Sequence, residues 1–237
     1  EKMLYNQSDL SRIYFMAYRV TGNETYLRVA EDILAYVSRE MLGADGAFYS
    51  AMDSETDAVE GLYYLWSDTE IKEVLEEDAE LFFWVYGLTP MPEIEGEVLY
   101  MASAVDSAAH EIGMAHEDLR IRLSSMKARL LEHRSTRKRP LVDTKILTAW
   151  NGLMIDTYAY AYGITDNDRY RKIAERAADF LLTHLRTESG DLMRVYRNGV
   201  VKYRAYQEDY AFLIRSLLRL HEVTGEARWQ REARTLT

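Results

Sequence analysis

The chain lacks cysteine, is poor in proline, and has neither a long apolar run nor an excess of positive charge. Without cysteine it forms no disulfide and offers no thiolate to a metal or a substrate. This absence fits a reducing compartment, and we expect a cytoplasmic protein. Because 3 prolines are spread over 237 residues, the chain can form long uninterrupted helices.

Charge and hydropathy argue against two classes of partner. No apolar stretch approaches the ~20 residues that span a bilayer, so we expect no membrane-spanning segment. The formal net charge of −10 disfavours nucleic acid, because phosphate backbones are bound by clustered positive charge. We interpret the basic run 134–139 as a solvated helix end whose cations suit the helix dipole.

The chain contains an internal repeat. In three places a threonine is followed by an aromatic residue five positions later and by an alanine nine positions later. The three sets are Thr21, Tyr26 and Ala30; Thr165, Tyr170 and Ala174; and Thr224, Trp229 and Ala233. Repeats of this size are typical of stacked supersecondary units.

Each repeat predicts a pair of helices joined by a tight turn. Apolar residues after each turn follow the i, i+3, i+4, i+7 spacing of one buried helical stripe. Asn23 and Asn167 are predicted N-caps of the second helices. The sequence therefore predicts an all-α toroid of hairpins at about 6–46, 150–190 and 208–237. An irregular helical insert is predicted at about 67–143.

Inside that insert the signals are weaker. Ser67 and Glu70 form a capping-box pattern that predicts the start of a short helix. Further helices are predicted at 79–86 and at about 117–133.

The connections between hairpins are long, at 43–66 and 187–206, whereas the turns within hairpins are short. The first long loop predicts a β-hairpin that pairs 48–50 with 62–66 around an acidic tip. The second predicts a β-hairpin with a type I′ turn at Asn198-Gly199. Long structured loops tend to carry function, so the long-loop end is the predicted functional face.

Five segments of the chain resemble a known family. They are 1–6 (EKMLYN), 46–53 (GAFYSAMD), 60–66 (EGLYYLW), 139–153 (RPLVDTKILTAWNGL) and 208–211 (EDYA). In this order they resemble the thioredoxin-domain-containing family of spermatogenesis-associated protein 20 and its bacterial relatives. Thr144 departs from the resemblance, which leads us to expect an acidic residue there.

The resemblance implies an N-terminal thioredoxin-like domain, absent from this chain, followed by a six-hairpin α/α toroid. Such a toroid is similar to those of glycosidases and N-acylglucosamine 2-epimerases. Residues 1–237 would then be an interior segment of one toroid domain, truncated at both ends. Its open hairpin edges would be apolar, and we expect self-association through the first or last helix.

Four acidic residues are the candidate catalytic groups, because glycosidases use two carboxyl groups that flank a sugar bond. They are Asp53, Asp143, Glu208 and Asp209. The alternative for the acids at helix starts is a structural cap stabilised by the helix dipole.

Aromatic, amide and cationic side chains of the matching segments, together with Arg194 of the second long loop, are candidate substrate-binding residues, since flat apolar faces with polar rims suit carbohydrates. They are Lys2, Tyr5, Asn6, Tyr49, Trp66, Lys145, Trp150, Asn151 and Arg194. We expect no cofactor and no metal. The acidic loop 53–64 has Ala58 where an EF-hand needs glycine and Tyr64 where it needs glutamate.

Two functions follow from these observations. The first is a carbohydrate-active enzyme domain, hydrolase-like or isomerase-like, with a small-molecule carbohydrate ligand. The second is a non-catalytic toroid that binds a ligand or partner and positions a thioredoxin-like domain. All histidines fall outside the matching segments, which disfavours epimerase-type proton transfer by histidine.

Overall fold

The computed structural model describes residues 1–90 and 96–237, and it divides them into two compact units. The first unit consists of Glu1–Asp53 and Val142–Thr237, and the second of Ser54–Leu141. The sequence predicted an insert at about 67–143, so this second unit begins earlier than expected. Among the described residues, no helix is both long and apolar enough to cross a membrane.

Helices dominate both units. The α-helices are α1 (Leu4–Thr21), α2 (Glu24–Glu40), α3 (Asp68–Leu75), α4 (Ala79–Phe83), α5 (Val105–Glu111), α6 (His116–Ser135), α7 (Thr148–Thr165), α8 (Asp168–His184), α9 (Gln207–Thr224) and α10 (Ala227–Thr235). The strands are β1 (Lys2–Met3), β2 (Ala51–Met52), β3 (Glu55–Thr56), β4 (Val59–Glu60), β5 (Tyr86–Pro90), β6 (Glu97–Met101), β7 (Val142–Asp143), β8 (Ile146–Leu147), β9 (Met193–Arg197) and β10 (Val200–Arg204).

The first unit contains the three predicted hairpins, α1–α2, α7–α8 and α9–α10. Helix α7 packs against both α1 and α9, so the first helices of the hairpins lie side by side. Asn23 and Asn167 accept hydrogen bonds from the backbone amides of Thr25 (2.9 Å) and Arg169 (3.1 Å), which confirms both predicted N-caps.

Small residues set the spacing between these helices. The repeat alanines Ala30, Ala174 and Ala233 are buried in one apolar core. A Cβ atom added to Gly152 of α7 would lie 2.8 Å from the backbone carbonyl carbon of Phe212 in α9. Only glycine allows this approach, and α7 and α9 therefore pack backbone to backbone at that point.

Two small antiparallel sheets lie in the first unit, with strand orders β1-β2-β7 and β10-β9-β8. The predicted turn at Asn198-Gly199 is confirmed, since both residues have positive φ (50° and 80°). The predicted pairing of 48–50 with 62–66 is wrong. Strand β2 pairs with β1 and β7 instead, and Leu62–Tyr64 forms a short 3₁₀ helix.

The second unit has its own apolar core, built mainly from α3, α5 and α6. The predicted cap is confirmed, since the amide of Glu70 donates to Ser67 Oγ at 3.1 Å. Helix α6 covers the helix predicted at 117–133, but the one predicted at 79–86 ends at Phe83 and strand β5 follows. Helix α5 and the β5–β6 hairpin were not predicted.

The basic run 134–139 lies at the end of α6, with Arg134 in its last turn and Lys138 and Arg139 exposed, so it is a helix end as interpreted. Arg134 and Arg137 are not solvated as expected, because both are partly buried against aromatic rings. The Arg137 guanidinium lies 4.3 Å from the ring centroid of Trp66 and donates to the carbonyl oxygens of Tyr63 and Leu65. Arg134 lies over the ring of Tyr63 at 5.3 Å. These cations cover the aromatic segment 62–66 of the second unit, where flat π faces attract guanidinium groups.

Helix α1 carries a stripe of exposed apolar side chains at helical spacing. They are Leu10, Ile13, Met16 and Val20. Contiguous exposed apolar surface of this kind marks an interaction site.

We expect this stripe to mediate self-association of the chain. Ile13→Glu should raise the dissociation constant of the dimer by at least about tenfold, because a buried charge without a partner opposes association. Sedimentation velocity over a range of concentrations measures the change. Ile121→Glu on α6 is the matched control, since Ile13 and Ile121 are both 61% exposed. A monomeric wild-type chain at high concentration would contradict the expectation.

Candidate functional site

The two small sheets join the N-terminal ends of α1, α7 and α9. Strand β1 leads into α1, β8 leads into α7, and the β9–β10 hairpin precedes α9. The backbone amide of Leu4 donates to the carbonyl of Ser50 (2.9 Å), and Thr148 Oγ1 donates to the carbonyl of Met193 (2.6 Å). The candidate residues of the first unit therefore lie on the segments that meet at this long-loop end.

Asp209 is a structural junction. Its carboxylate is fully buried and accepts hydrogen bonds from the backbone amides of Ala149 (2.9 Å) and Tyr206 (2.8 Å). Arg194 donates to the same carboxylate at 3.0 Å. Asp209 thus caps α7 and its own helix α9 while neutralising Arg194. These bonds leave it no access to a ligand.

Asn151 has a similar structural role. Its side-chain oxygen accepts from the amide of Phe48 at 2.8 Å, and its side-chain nitrogen donates to the carbonyls of Phe48 (2.9 Å) and Leu147 (3.0 Å). The side chain is fully buried. Both of its donor hydrogens are used, so Asn151 holds loop 43–50 against α7 rather than contacting solvent.

Asp143 and Lys145 form an ion pair on the turn between β7 and β8, with 3.0 Å between Lys145 Nζ and Asp143 Oδ2. The backbone amide of Lys145 donates to Asp143 Oδ1 at 3.2 Å. Partial burial raises the Asp143 pKa, but hydrogen bonds from Lys145 and Ser50 outweigh it, and the net pKa is lowered. Asp143 is therefore ionised at neutral pH and partly exposed.

The aromatic candidates lie near these charges. The rings of Tyr5 and Trp150 meet edge to face with 4.9 Å between their centroids, which links the starts of α1 and α7. Both rings are partly exposed, as is Tyr49. Lys2 Nζ lies 5.8 Å from the centroid of Tyr36.

Arg194 lies at the centre of a charged and aromatic cluster. It pairs with Glu208 at 2.8 Å as well as with Asp209, and its guanidinium lies 4.5 Å from the ring centroid of Tyr206. Tyr203 follows on β10 with an unusual positive φ of 62°. Tyr203 and Tyr206 are among the most exposed aromatic residues of the described chain.

Sequence reasoning missed these two tyrosines. The sequence does contain a signal for them, since both tyrosines follow the predicted type I′ turn and precede a helix start. Positive φ at a bulky residue is strained and is found preferentially at functional sites. Tyr203 and Tyr206 therefore join the candidate set.

The remaining candidates are placed as follows. Asp53 is exposed directly after β2, and Asn6 is exposed in the first turn of α1. Trp66 belongs to the second unit, where Arg137 covers it. In the described part of the chain, no three histidine or acidic side chains lie together so that they could hold a metal ion.

No family model matches the chain. Human spermatogenesis-associated protein 20 is 34% identical over 265 residues, which cover 97% of this chain and 34% of that protein. The chain is homologous to spermatogenesis-associated protein 20. It spans about a third of the length of that relative.

Solved structures support the fold. Cellobiose 2-epimerase from Spirochaeta thermophila matches 99% of this chain and 41% of its own length, at a TM-score of 0.59 and 9% identity. Cellobiose 2-epimerase from Bacillus thermoamylovorans matches 99% of this chain and 42% of its own length, at a TM-score of 0.55 and 9% identity. The predicted fold class, an α/α toroid with short β-hairpins in its long loops, is confirmed.

We expect Asp209→Ala to lower the free energy of unfolding by about 3 kcal/mol, because it leaves Arg194 and two helix-start amides without their buried partner. Urea denaturation measures the change. Glu208→Ala is the matched control, since Glu208 pairs with the same arginine from an exposed position and should cost less than about 1 kcal/mol. Equal losses in the two variants would contradict the assignment of Asp209 as a junction.

We expect Asp143 to stabilise the fold only where it is ionised. Its folded-state pKa lies below the ordinary value of 3.8, so its contribution is present above about pH 4 and is lost as pH falls through the folded pKa. The difference in unfolding free energy between wild type and Asp143→Asn should therefore be constant from neutral pH to about pH 4 and shrink below it. A difference that grows on acidification would be the wrong sign.

Proposed function

We propose that the long-loop end of the first unit binds a carbohydrate ligand, and that its buried acid, Asp209, serves structure rather than catalysis. The cluster of Arg194, Tyr203 and Tyr206 carries this proposal. Tyr206 lies against the guanidinium of Arg194, and Tyr203 is exposed on the strand that precedes it. Carbohydrates bind to flat apolar faces with polar rims of this kind.

Two further features of the first unit support a sugar as the ligand. Trp150 and Tyr5 add partly exposed aromatic edges at the starts of α7 and α1. Asp143 and Lys145 add an acceptor and a donor that suit hydroxyl groups. The two epimerases of similar fold are named for cellobiose. At 9% identity they support the fold alone.

Catalysis at the long-loop end is the second candidate function, and Asp143 is the residue that favours it. Its lowered pKa suits an ionised base or nucleophile. A glycosidase also needs a protonated acid within roughly 5–9.5 Å. Asp209 cannot supply that acid, because two backbone amides and Arg194 hold its carboxylate. Asp53, exposed after β2, and Glu208, which pairs with Arg194 from an exposed position, are the remaining candidate partners of Asp143.

The homology suggests a wider role that also fits ligand binding without catalysis. In the family of spermatogenesis-associated protein 20, as the resemblance implies, a thioredoxin-like domain precedes the toroid. A toroid whose loop-end acids are used as caps and ion pairs would bind a ligand or partner and position that domain.

We expect Tyr206→Ala to weaken sugar binding about tenfold, equivalent to ~1.4 kcal/mol, because it removes one aromatic face next to Arg194. Isothermal titration calorimetry with cellobiose, mannobiose and glucose measures the affinity. Tyr100→Ala is the matched control, since Tyr100 is an exposed strand tyrosine of the second unit. Failure of wild type to bind any of these sugars or their acidic forms would overturn the proposal.

Catalysis has its own test. Release of reducing sugar or change of anomer is followed by NMR for wild type, Asp143→Asn and Asp53→Asn. Turnover that both variants abolish would favour the enzyme. Binding without turnover would favour the non-catalytic toroid.

A further inference from the structure

A second cluster of charge lies deeper along the same helices. Asp156 of α7 is fully buried, and three arginines contact its carboxylate from the neighbouring helices. Arg12 of α1 pairs with it directly, Arg215 of α9 lies 3.2 Å away and Arg219 of α9 lies 3.3 Å away.

Tyr160 extends this cluster by one helical turn. Its ring lies beneath the guanidinium groups of Arg12 (4.7 Å), Arg19 (5.6 Å) and Arg219 (5.5 Å), and Arg19 donates to its hydroxyl at 3.0 Å. Asp156 and Tyr160 are four residues apart and share one face of α7. Tyr158, on the opposite face, contacts Tyr170 of α8 at 5.8 Å.

The acids in contact with this cluster do not balance its cations. Among the described residues, Asp156 and Glu222 are the acids that pair with these arginines, Glu222 at 2.5 Å from Arg219. Four guanidinium groups therefore face two carboxylates, in a chain whose net charge is −10. Arg12 and Arg219 are partly buried, whereas Arg19 and Arg215 are exposed. The partly buried cations repel each other most strongly unless an anion compensates them.

A structural role alone leaves part of the cluster unexplained. The three arginines take three of the roughly four lone-pair sites of the Asp156 carboxylate, but one arginine is enough to balance its single negative charge. The third arginine, Arg215, approaches Asp156 through Nε, is 46% exposed and lies 5.3 Å from the ring centroid of Phe212. Among the described residues, its two terminal amino groups have no hydrogen-bond partner. Arginine forks of this kind match carboxylate and phosphate oxygens.

We propose that Arg12, Arg215 and Arg219 form an anion-binding site that takes the carboxylate or phosphate of a small molecule. Asp156 is its positioning residue, because it fixes three guanidinium groups from two helices around one point. The site lies about 9 Å along α7 from Trp150. If the long-loop end binds a sugar, as proposed above, the ligand is an acidic sugar; that last step rests on the proposed function, whereas the anion site does not.

The test uses the full chain at low ionic strength and four probes: glucuronate, glucose 6-phosphate, glucose and inorganic phosphate. Calorimetry should show at least one acidic sugar binding ten times or more tightly than glucose. Arg215→Gln should weaken that binding about tenfold. Arg122→Gln is the matched control, since Arg122 is 48% exposed, pairs with Asp78 at 2.6 Å and lies in the second unit; it should bind like wild type.

Further variants separate charge from packing. Arg215→Lys keeps the charge and should retain more affinity than Arg215→Gln, and thermal unfolding confirms that each variant folds. Equal losses in both, or a similar loss in Arg122→Gln, would overturn the anion site. The anion site would also be overturned if neither the acidic sugars nor inorganic phosphate bound more tightly than glucose.

The two proposals fail in different ways. If inorganic phosphate binds and Arg215→Gln abolishes its binding while no sugar binds, the anion site stands and the sugar-binding function is overturned. If glucose binds as well as glucuronate, and Tyr206→Ala weakens it but Arg215→Gln does not, the sugar site stands and the anion site is overturned.

Discussion

The buried first turn of α7 is the constraint on which the long-loop end depends. A helix start exposes backbone amides that need partners, and a buried start cannot find them in water. The residue before α7 is Leu147, whose side chain cannot cap. Asp209 of α9 supplies the hydrogen-bond partner instead, since its carboxylate accepts a hydrogen bond from the amide of Ala149.

This cap, which α9 supplies to α7, fixes the positions and contacts of the neighbouring residues. The Asp209 carboxylate is buried and holds Arg194 beside it, and the Arg194 guanidinium lies 4.5 Å from the ring centroid of Tyr206. Asn151, one turn into α7, fixes loop 43–50 in the same way. The polar residues closest to the helix starts are therefore structural, and the exposed residues around them are left for a ligand.

The hairpins could be predicted from the sequence because they rest on local signals. The 3.6-residue periodicity and the caps at Asn23 and Asn167 act within one or two turns. The pairing of β2 could not be predicted, because two-residue strands have little pattern and their partners, β1 and β7, lie far away in sequence.

The sequence indicated the long-loop end as the candidate site, but it could not distinguish the structural residues there from the exposed ones. Acidic residues at helix starts were candidates for catalysis and for caps, and sequence alone cannot separate the two. Burial separates the two roles for Asp209, whose hydrogen bond to Ala149 joins segments 60 residues apart. Asp156 was missed for a different reason. One aspartate in an apolar helix has no sequence signal for arginines that come from another hairpin.

The net charge of the chain is a poor guide to the sign of the charge on a ligand that binds at the arginine cluster. At physiological salt, exposed charges more than about 8 Å apart are largely screened, so a ligand at Asp156 responds to the arginines around it rather than to acids elsewhere on the chain. Arg12 comes from the first hairpin, Asp156 from the second, and Arg215 and Arg219 from the third. Because no single repeat contains the cluster, it exists only when the three first helices pack side by side. The same packing that buries the first turn of α7 therefore also assembles the positive site farther along it.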